Sequence, residues 1–231
     1  MDFRFDLILE SLPRLLGGAV LTLELVGLSV FIGFFIALPL ALARLHPSRW
    51  VHAGPWAYIF FFRGTPLLIQ IFLLYYGLSQ IEFIRNGFLW PVLREAWWCA
   101  LAALTLNTAA YSAEIFRGAI QSVPPGETEA ARAVGMGSFH ILRRITLPRA
   151  FQLALPAYGN EIIFLIKGSA LVSTITLADL TGVARLIVAR TYKPVEVFLA
   201  TGFIYLVMIY ALSLVLKRLE VALVKGSARG S

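Results

Sequence analysis

Three sets of polar residues interrupt the long apolar runs of this sequence. Asn107, Tyr111 and Glu114 fall at i, i+4 and i+7, which is one face of a helix. Asn160 and Glu161 stand together in a later run, where Gly159 and Gly168 bracket a stretch expected to unwind and free its carbonyls. Arg63 lies beside Gly64 and Pro66, a place for a kink, with Gln70 following. Carboxylates, amides and a phenol in apolar surroundings suit the recognition of a small cation through charge-assisted hydrogen bonds. A membrane enzyme would need a catalytic cluster instead, such as paired aspartates for a metal or a His–Glu set. His46, His52 and His140 all fall at or near loops expected to be cytoplasmic, none beside a carboxylate within an apolar run. No G-x-x-x-x-G-K-[ST] stretch is present, so this chain is not expected to hydrolyse ATP. The single cysteine, Cys99, rules out an internal disulfide and a cysteine metal cluster, and reads as a small apolar filler.

The elements that must position these residues are membrane spans. Of 231 residues 59% are hydrophobic and 14% charged, and the mean hydropathy is +0.79, too apolar for a water-soluble domain. Five runs are long enough to cross a bilayer, at about 17–43, 55–81, 96–120, 151–171 and 194–216. They form a single all-α integral membrane domain over 1–231. Residues 1–12 lack the basic start and small-residue cleavage site of a signal peptide. The net charge of +7 fits anionic lipid and a positive-inside bias better than nucleic acid, which is not expected as a partner.

Five spans put the two ends on opposite sides. Arg44 and Arg49, the central loop with Arg117, Arg132, Arg143, Arg144 and Arg149, and the tail with Lys217, Arg218, Lys225 and Arg229 share one side. Arg4, Arg14, Arg85, Arg94, Arg185, Arg190 and Lys193 are fewer and lie on the other. The richer side is cytoplasmic, so the N-terminus is outside and the C-terminus inside. Trp90, Trp97 and Trp98 read as an interfacial aromatic belt. Residues 178–190 read as a short outer amphipathic helix started by Asp179, facing either the membrane surface or an incoming protein. Lys167 either pairs with Asp179 or snorkels outward, and Glu24 has no assigned role.

The central loop, 121–149, carries its own fold. Pro124-Pro125-Gly126 stops the preceding helix, Glu127 and Glu129 suit the positive end of a new one, and alanines extend it. Gly135 and Gly137 break it, and Ser138 can cap the next. Glu129-Ala130-Ala131, Gly135 four residues after Ala131, then Ile145, Leu147 and Pro148 resemble the cytoplasmic coupling loop of bacterial ABC importer permeases. Arg63-Gly64-Thr65-Pro66-Leu67-Leu68 and the stretch from Asn107 to Gly118 resemble the polar amino-acid subfamily. Within it the chain is most similar to the M-type subunits of histidine/lysine/arginine/ornithine and opine importers. The likeness extends over roughly 15–220.

The resemblance implies the type I importer permease fold, with five spans and a coupling helix. It also implies a second permease subunit (identical or paralogous), two ATPase subunits holding the ATP and magnesium, and an external solute-binding protein. On that view Glu129, Ala130, Ala131, Gly135, Ile145, Leu147 and Pro148 dock to the ATPase. Asn107, Tyr111, Glu114, Asn160 and Glu161 line a cavity for a polar, basic amino acid or an opine. Glu114 has a second reading, as a buried ion pair with Arg63. Glutamine or glutamate importers share the same motifs, and a loop helix resting on anionic lipid, or a small membrane enzyme or channel, are the alternatives of other classes.

Overall fold

A computed structural model describes residues 4–228, and no strand occurs among them. The first helix, α1 (Phe5–Arg44), runs 40 residues without a break. Along it Ser29, Gly33, Ala37 and Ala41 recur every four residues and are all buried. This stripe of small side chains lets α6 (Ala96–Gln121) pack closely along α1, the arrangement by which helices associate where no hydrophobic drive separates lipid from protein. A buried patch of Ala109, Ala110 and Ala113 gives α6 the matching surface.

Between them the chain forms α2 (Arg49–Gly64) and α3 (Leu67–Phe72), and the latter continues through a wide turn at Leu73–Gly77 and a tight one at Leu78–Gln80. Two short helices, α4 (Glu82–Arg85) and α5 (Trp90–Leu93), lead into α6. Then come α7 (Pro125–Ala133), α8 (Ser138–Ile141) and α9 (Leu147–Ser169), which closes in a tight turn at Ala170–Ile175. The last two helices are α10 (Leu180–Thr191) and α11 (Pro194–Ala228). Arg229, one of the tail cations, lies outside the described residues, as does the side chain of Lys225.

Among the described residues two helices are long and apolar enough to cross a membrane unbroken, Phe5–Arg44 and Pro194–Leu223. Two further pairs qualify only when joined: Arg49–Gly64 with Leu67–Gln80, bent by 106°, and Ser138–Ile175 with Leu180–Thr191, bent by 49°. The second expected run, 55–81, is therefore no straight rod. Its kink at Gly64–Pro66 is a sharp reversal. α6 matches the third expected run but carries more polar residues than a lipid-facing helix, because α1, α2, α3 and α9 cover it. The unwinding expected between Gly159 and Gly168 does not occur. α9 is continuous there, and both glycines are contact points, Gly159 against Leu216 and Gly168 against Leu67.

α1 meets the start of α10 at Gly18, where an added Cβ would stand 2.9 Å from the Asp179 carbonyl oxygen. Asp179 caps α10 as expected, accepting from Gly182 N at 2.9 Å and Thr181 N at 3.3 Å. Thr22 adds a third cap by accepting from Leu180 N at 3.1 Å. Asp179 is fully buried and forms no ion pair with Lys167, whose ammonium lies instead over the Phe164 ring. Cys99 is buried filler, its thiol donating to Leu93 O.

Candidate functional site

The helix break between α2 and α3 forms one wall of the site. Thr65 leaves the helix in an extended conformation and Pro66 cannot donate, so the carbonyls around them lose their helical partners. Gln70 replaces those partners. Its Nε2 donates to Phe62 O at 2.8 Å and Thr65 O at 3.0 Å, and also meets the Thr65 hydroxyl at 2.8 Å. Asn107 reinforces it from α6, donating to Gln70 Oε1 at 2.9 Å and Phe62 O at 3.4 Å. Asn107, expected as a ligand contact, thus spends its amide N–H groups holding the break open.

The break opens onto a cavity of about 600 Å³ lined by Arg63, Thr65, Asn107, Tyr111, Glu161 and Phe164, among others. That size falls within the roughly 300–1,000 Å³ of small-molecule pockets. Glu161 comes from α9 and is 9% exposed. Its hydrogen-bond partner is the hydroxyl of Thr108, which donates to Oε1 at 3.3 Å. A buried carboxylate with one neutral donor leaves most of its acceptor capacity for something else in the cavity.

Two expected members do not join this cavity within the chain. Asn160 is exposed, since adjacent residues on a helix point about 100° apart and Glu161 takes the inward direction. Glu114 lies further along α6 and opens onto a neighbouring cavity with Arg44, Trp56, Arg63 and Tyr111. There it holds three guanidinium groups. Arg117 grips it through Nε at 3.0 Å and Nη2 at 2.8 Å, Arg44 Nε lies at 3.4 Å and Arg63 Nη1 at 3.9 Å. The Arg63–Glu114 pair inferred from depth is present but is the loosest of the three. Arg44 also meets the His52 ring.

Arg63 belongs to both cavities, and its guanidinium carbon stands 5.2 Å from the centre of the Tyr111 ring. Sequence reasoning missed Arg44, His52, Arg117 and Thr108. Arg117 was within reach, three residues from Glu114 on the same helix. Thr108 and Arg44 reach their carboxylates from 53 and 70 positions away, for which the sequence holds no signal, and His52 meets Arg44 eight residues back across the turn between α1 and α2.

Just beyond the end of α6, α7 and α8 meet across Gly135, whose φ of +82° lies in the left-handed region. Met136 N donates to Ala131 O at 3.1 Å to close the helix end. Ala131 is buried, while Glu129, Ala130, Val134 and Phe139 are exposed. Arg149 Nε ties this element back to the base of α9 through Glu127 at 3.4 Å. The result is a two-helix corner whose exposed residues also include Arg132, Ala133 and His140.

The family model of the binding-protein-dependent transport system inner membrane component matches residues 29–226. An octopine transport system permease protein of Rhizobium meliloti is 51% identical over 199 residues, covering 86% of this chain and 81% of its own. The histidine/lysine/arginine/ornithine transport system permease protein of Escherichia coli K12 is 43% identical over 204 residues, 88% of this chain and 86% of its own. Among solved structures, an amino acid ABC transporter crystallised with histidines is 38% identical with a TM-score of 0.85, covering 95% of this chain and 99% of that one.

Proposed function

The chain belongs to the binding-protein-dependent transport system inner membrane component family, and from that premise we propose that it is the permease subunit of an ATP-driven importer of basic amino acids or opines. It works as a transporter subunit and carries no enzymatic activity of its own. It crosses the inner membrane five times, counting each bent pair and α6 as one span, with its N-terminus outside and its C-terminus in the cytoplasm. A second permease subunit, two ATPases and an external solute-binding protein complete the assembly.

The observation that carries the substrate reading is Glu161, a buried carboxylate facing a cavity with one hydroxyl as partner. In a water-poor site it attracts the ammonium or guanidinium of a basic substrate. Tyr111 and Asn107 shape the same wall, and Glu114 serves as scaffold for the arginines beside it. The exposed corner formed by Glu129, Ala130, Val134 and Phe139 seats in the ATPase, with Gly135 setting its angle and Ile145, Leu147 and Pro148 joining it to α9. When the ATPases close on ATP, that rigid corner passes their motion to α9, and Glu161 moves with it. The relatives' names favour this substrate class, since the matched permeases serve octopine and histidine, lysine, arginine and ornithine.

The test is ATP hydrolysis by the reconstituted transporter with its binding protein, challenged with arginine, histidine, lysine, octopine, glutamine and glutamate. Stimulation by the cationic set and octopine alone is the expected result. Stimulation by glutamine or glutamate would move the substrate class while keeping the importer, and Glu161→Gln with unchanged arginine response would remove Glu161 from the site.

A further inference from the structure

Glu114 has more cations than it needs. Arg117 alone satisfies it in a forked contact through Nε and Nη2 at 3.0 and 2.8 Å, and Arg44 adds a further bond at 3.4 Å. Arg63 is the surplus member: it stands at 3.9 Å, the limit of an ion pair, and its side chain is 44% exposed against 13% for Arg44 and 27% for Arg117. Moving Arg63 away would leave Glu114 paired. No such freedom belongs to Arg44 or Arg117.

What Arg63 faces gives that freedom a direction. It sits at the C-terminal end of α2, beside the break that Gln70 and Asn107 hold open, and it lines the same 600 Å³ cavity as Glu161. The two side chains come from different helices and form no ion pair with each other among the described residues. A cavity with a loosely held guanidinium and an undersatisfied carboxylate on different helices is complementary to a molecule bearing both charges. Guanidinium is the group best matched to a carboxylate, through two parallel N–H donors. The Tyr111 ring beneath Arg63 holds the guanidinium plane at the cavity wall without neutralising it.

We propose that Arg63 binds the carboxylate of the transported amino acid while Glu161 binds its cationic group, Arg63 exchanging its loose contact with Glu114 for the substrate. This rests on the cavity reading above and adds a requirement to it: the permease itself selects for a carboxylate, independently of the solute-binding protein. When the substrate leaves, Glu114 takes the guanidinium back, so the cavity is never left with an unpaired arginine. The exchange needs only a side-chain rotation, because Arg44 and Arg117 keep Glu114 in place.

The test uses the complete permease–ATPase complex in lipid nanodiscs without binding protein, and measures equilibrium binding of labelled arginine and of agmatine, which is arginine without its carboxylate. Wild type is expected to bind arginine at least about tenfold more tightly than agmatine. Arg63→Gln should weaken arginine by about the same factor and change agmatine less than about twofold, and Arg63→Lys should recover part of the loss. Equal binding of arginine and agmatine by wild type would overturn the proposal, and so would an Arg63→Gln variant that loses both ligands equally, which is the signature of a merely structural residue. If Arg63→Gln fails to assemble, arginine methyl ester against wild type asks the same question from the ligand's side, and binding as tight as arginine's would overturn it. Failure of wild type to bind either ligand would overturn the cavity reading itself, and the proposal with it.

Discussion

Thr108 stands between Gly33 and Glu161. Its hydroxyl donates to the Glu161 carboxylate at 3.3 Å, while its methyl occupies the space that a side chain at Gly33 would need, 2.8 Å from an added Cβ. The small-residue stripe of α1 therefore does more than allow close packing. It leaves room for the Thr108 rotamer that bonds Glu161.

Gly33→Ala should push the Thr108 methyl off its place, turn the hydroxyl away from Glu161 and weaken arginine binding by about three- to tenfold, as loss of a hydrogen bond to a charged group implies. Thr108→Ser keeps the hydroxyl and removes the methyl, so it should bind normally and tolerate Gly33→Ala. Equilibrium binding on the four-member cycle checks this. If Gly33→Ala is equally harmful in the Thr108→Ser background, the glycine acts through the backbone instead.

The three arginines around Glu114 should differ in a fixed order. A double-mutant cycle between Arg117→Met and Glu114→Gln should give a coupling of about 1–3 kcal/mol in thermal unfolding of the complex, whereas the cycle with Arg63→Met should give under about 0.5 kcal/mol. Only the close, forked contact is expected to contribute much. A larger coupling for Arg63 than for Arg117 would mean that the 3.9 Å contact tightens in the assembled transporter.

Asn107 and Gln70 act as one unit, so their variants should resemble each other and differ from Glu161→Gln. Removing either amide leaves the Phe62 or Thr65 carbonyl short of a donor at the helix break, at a cost of about 1–3 kcal/mol. Gln70→Leu and Asn107→Leu should lower the unfolding midpoint and transport together. Glu161→Gln, which removes a buried charge, should lower arginine binding with the midpoint unchanged or raised. An Asn107→Leu complex with wild-type stability but no binding would return Asn107 to the role of substrate contact.

Local grammar carries much of this architecture. The Pro-Pro-Gly stop, the alanines and Gly135 place the corner at the right residues, Asp179 is legible as a cap, and a kink is readable at Gly64–Pro66. The magnitude of that kink is not, because 106° depends on Gln70 reaching back to Phe62 and Asn107 reaching across from α6. Helical spacing groups Asn107, Tyr111 and Glu114 correctly on one face, yet a face about 10 Å long spans two cavities, and nothing local divides it. Adjacency misplaces Asn160, since neighbours in sequence are not neighbours on a helix surface. Gly159 and Gly168 read as unwinding points, but the small residue is needed by the helix opposite, for Leu216 in one case and Leu67 in the other.

The two glycines of the coupling corner offer the plainest separation of geometry from composition. Gly135 has φ +82°, which an L side chain adopts only at a cost of about 1 kcal/mol or more, whereas Gly137 has φ −70° and open space around it. Gly135→Ala should therefore shift the angle between α7 and α8 and misalign the exposed face of Glu129, Ala130, Val134 and Phe139. Gly137→Ala should leave it unchanged. Copurification of the ATPase and substrate-stimulated hydrolysis are the readouts: a severalfold loss in both for Gly135→Ala, and near-normal values for Gly137→Ala. Because the penalty at Gly135 is steric at the Cβ, Gly135→Asn should fall between the two, asparagine being the side chain that best tolerates the left-handed region. Equal damage at both glycines would show that the corner needs flexibility, and the rigid transmission of ATPase motion to α9 would have to be abandoned.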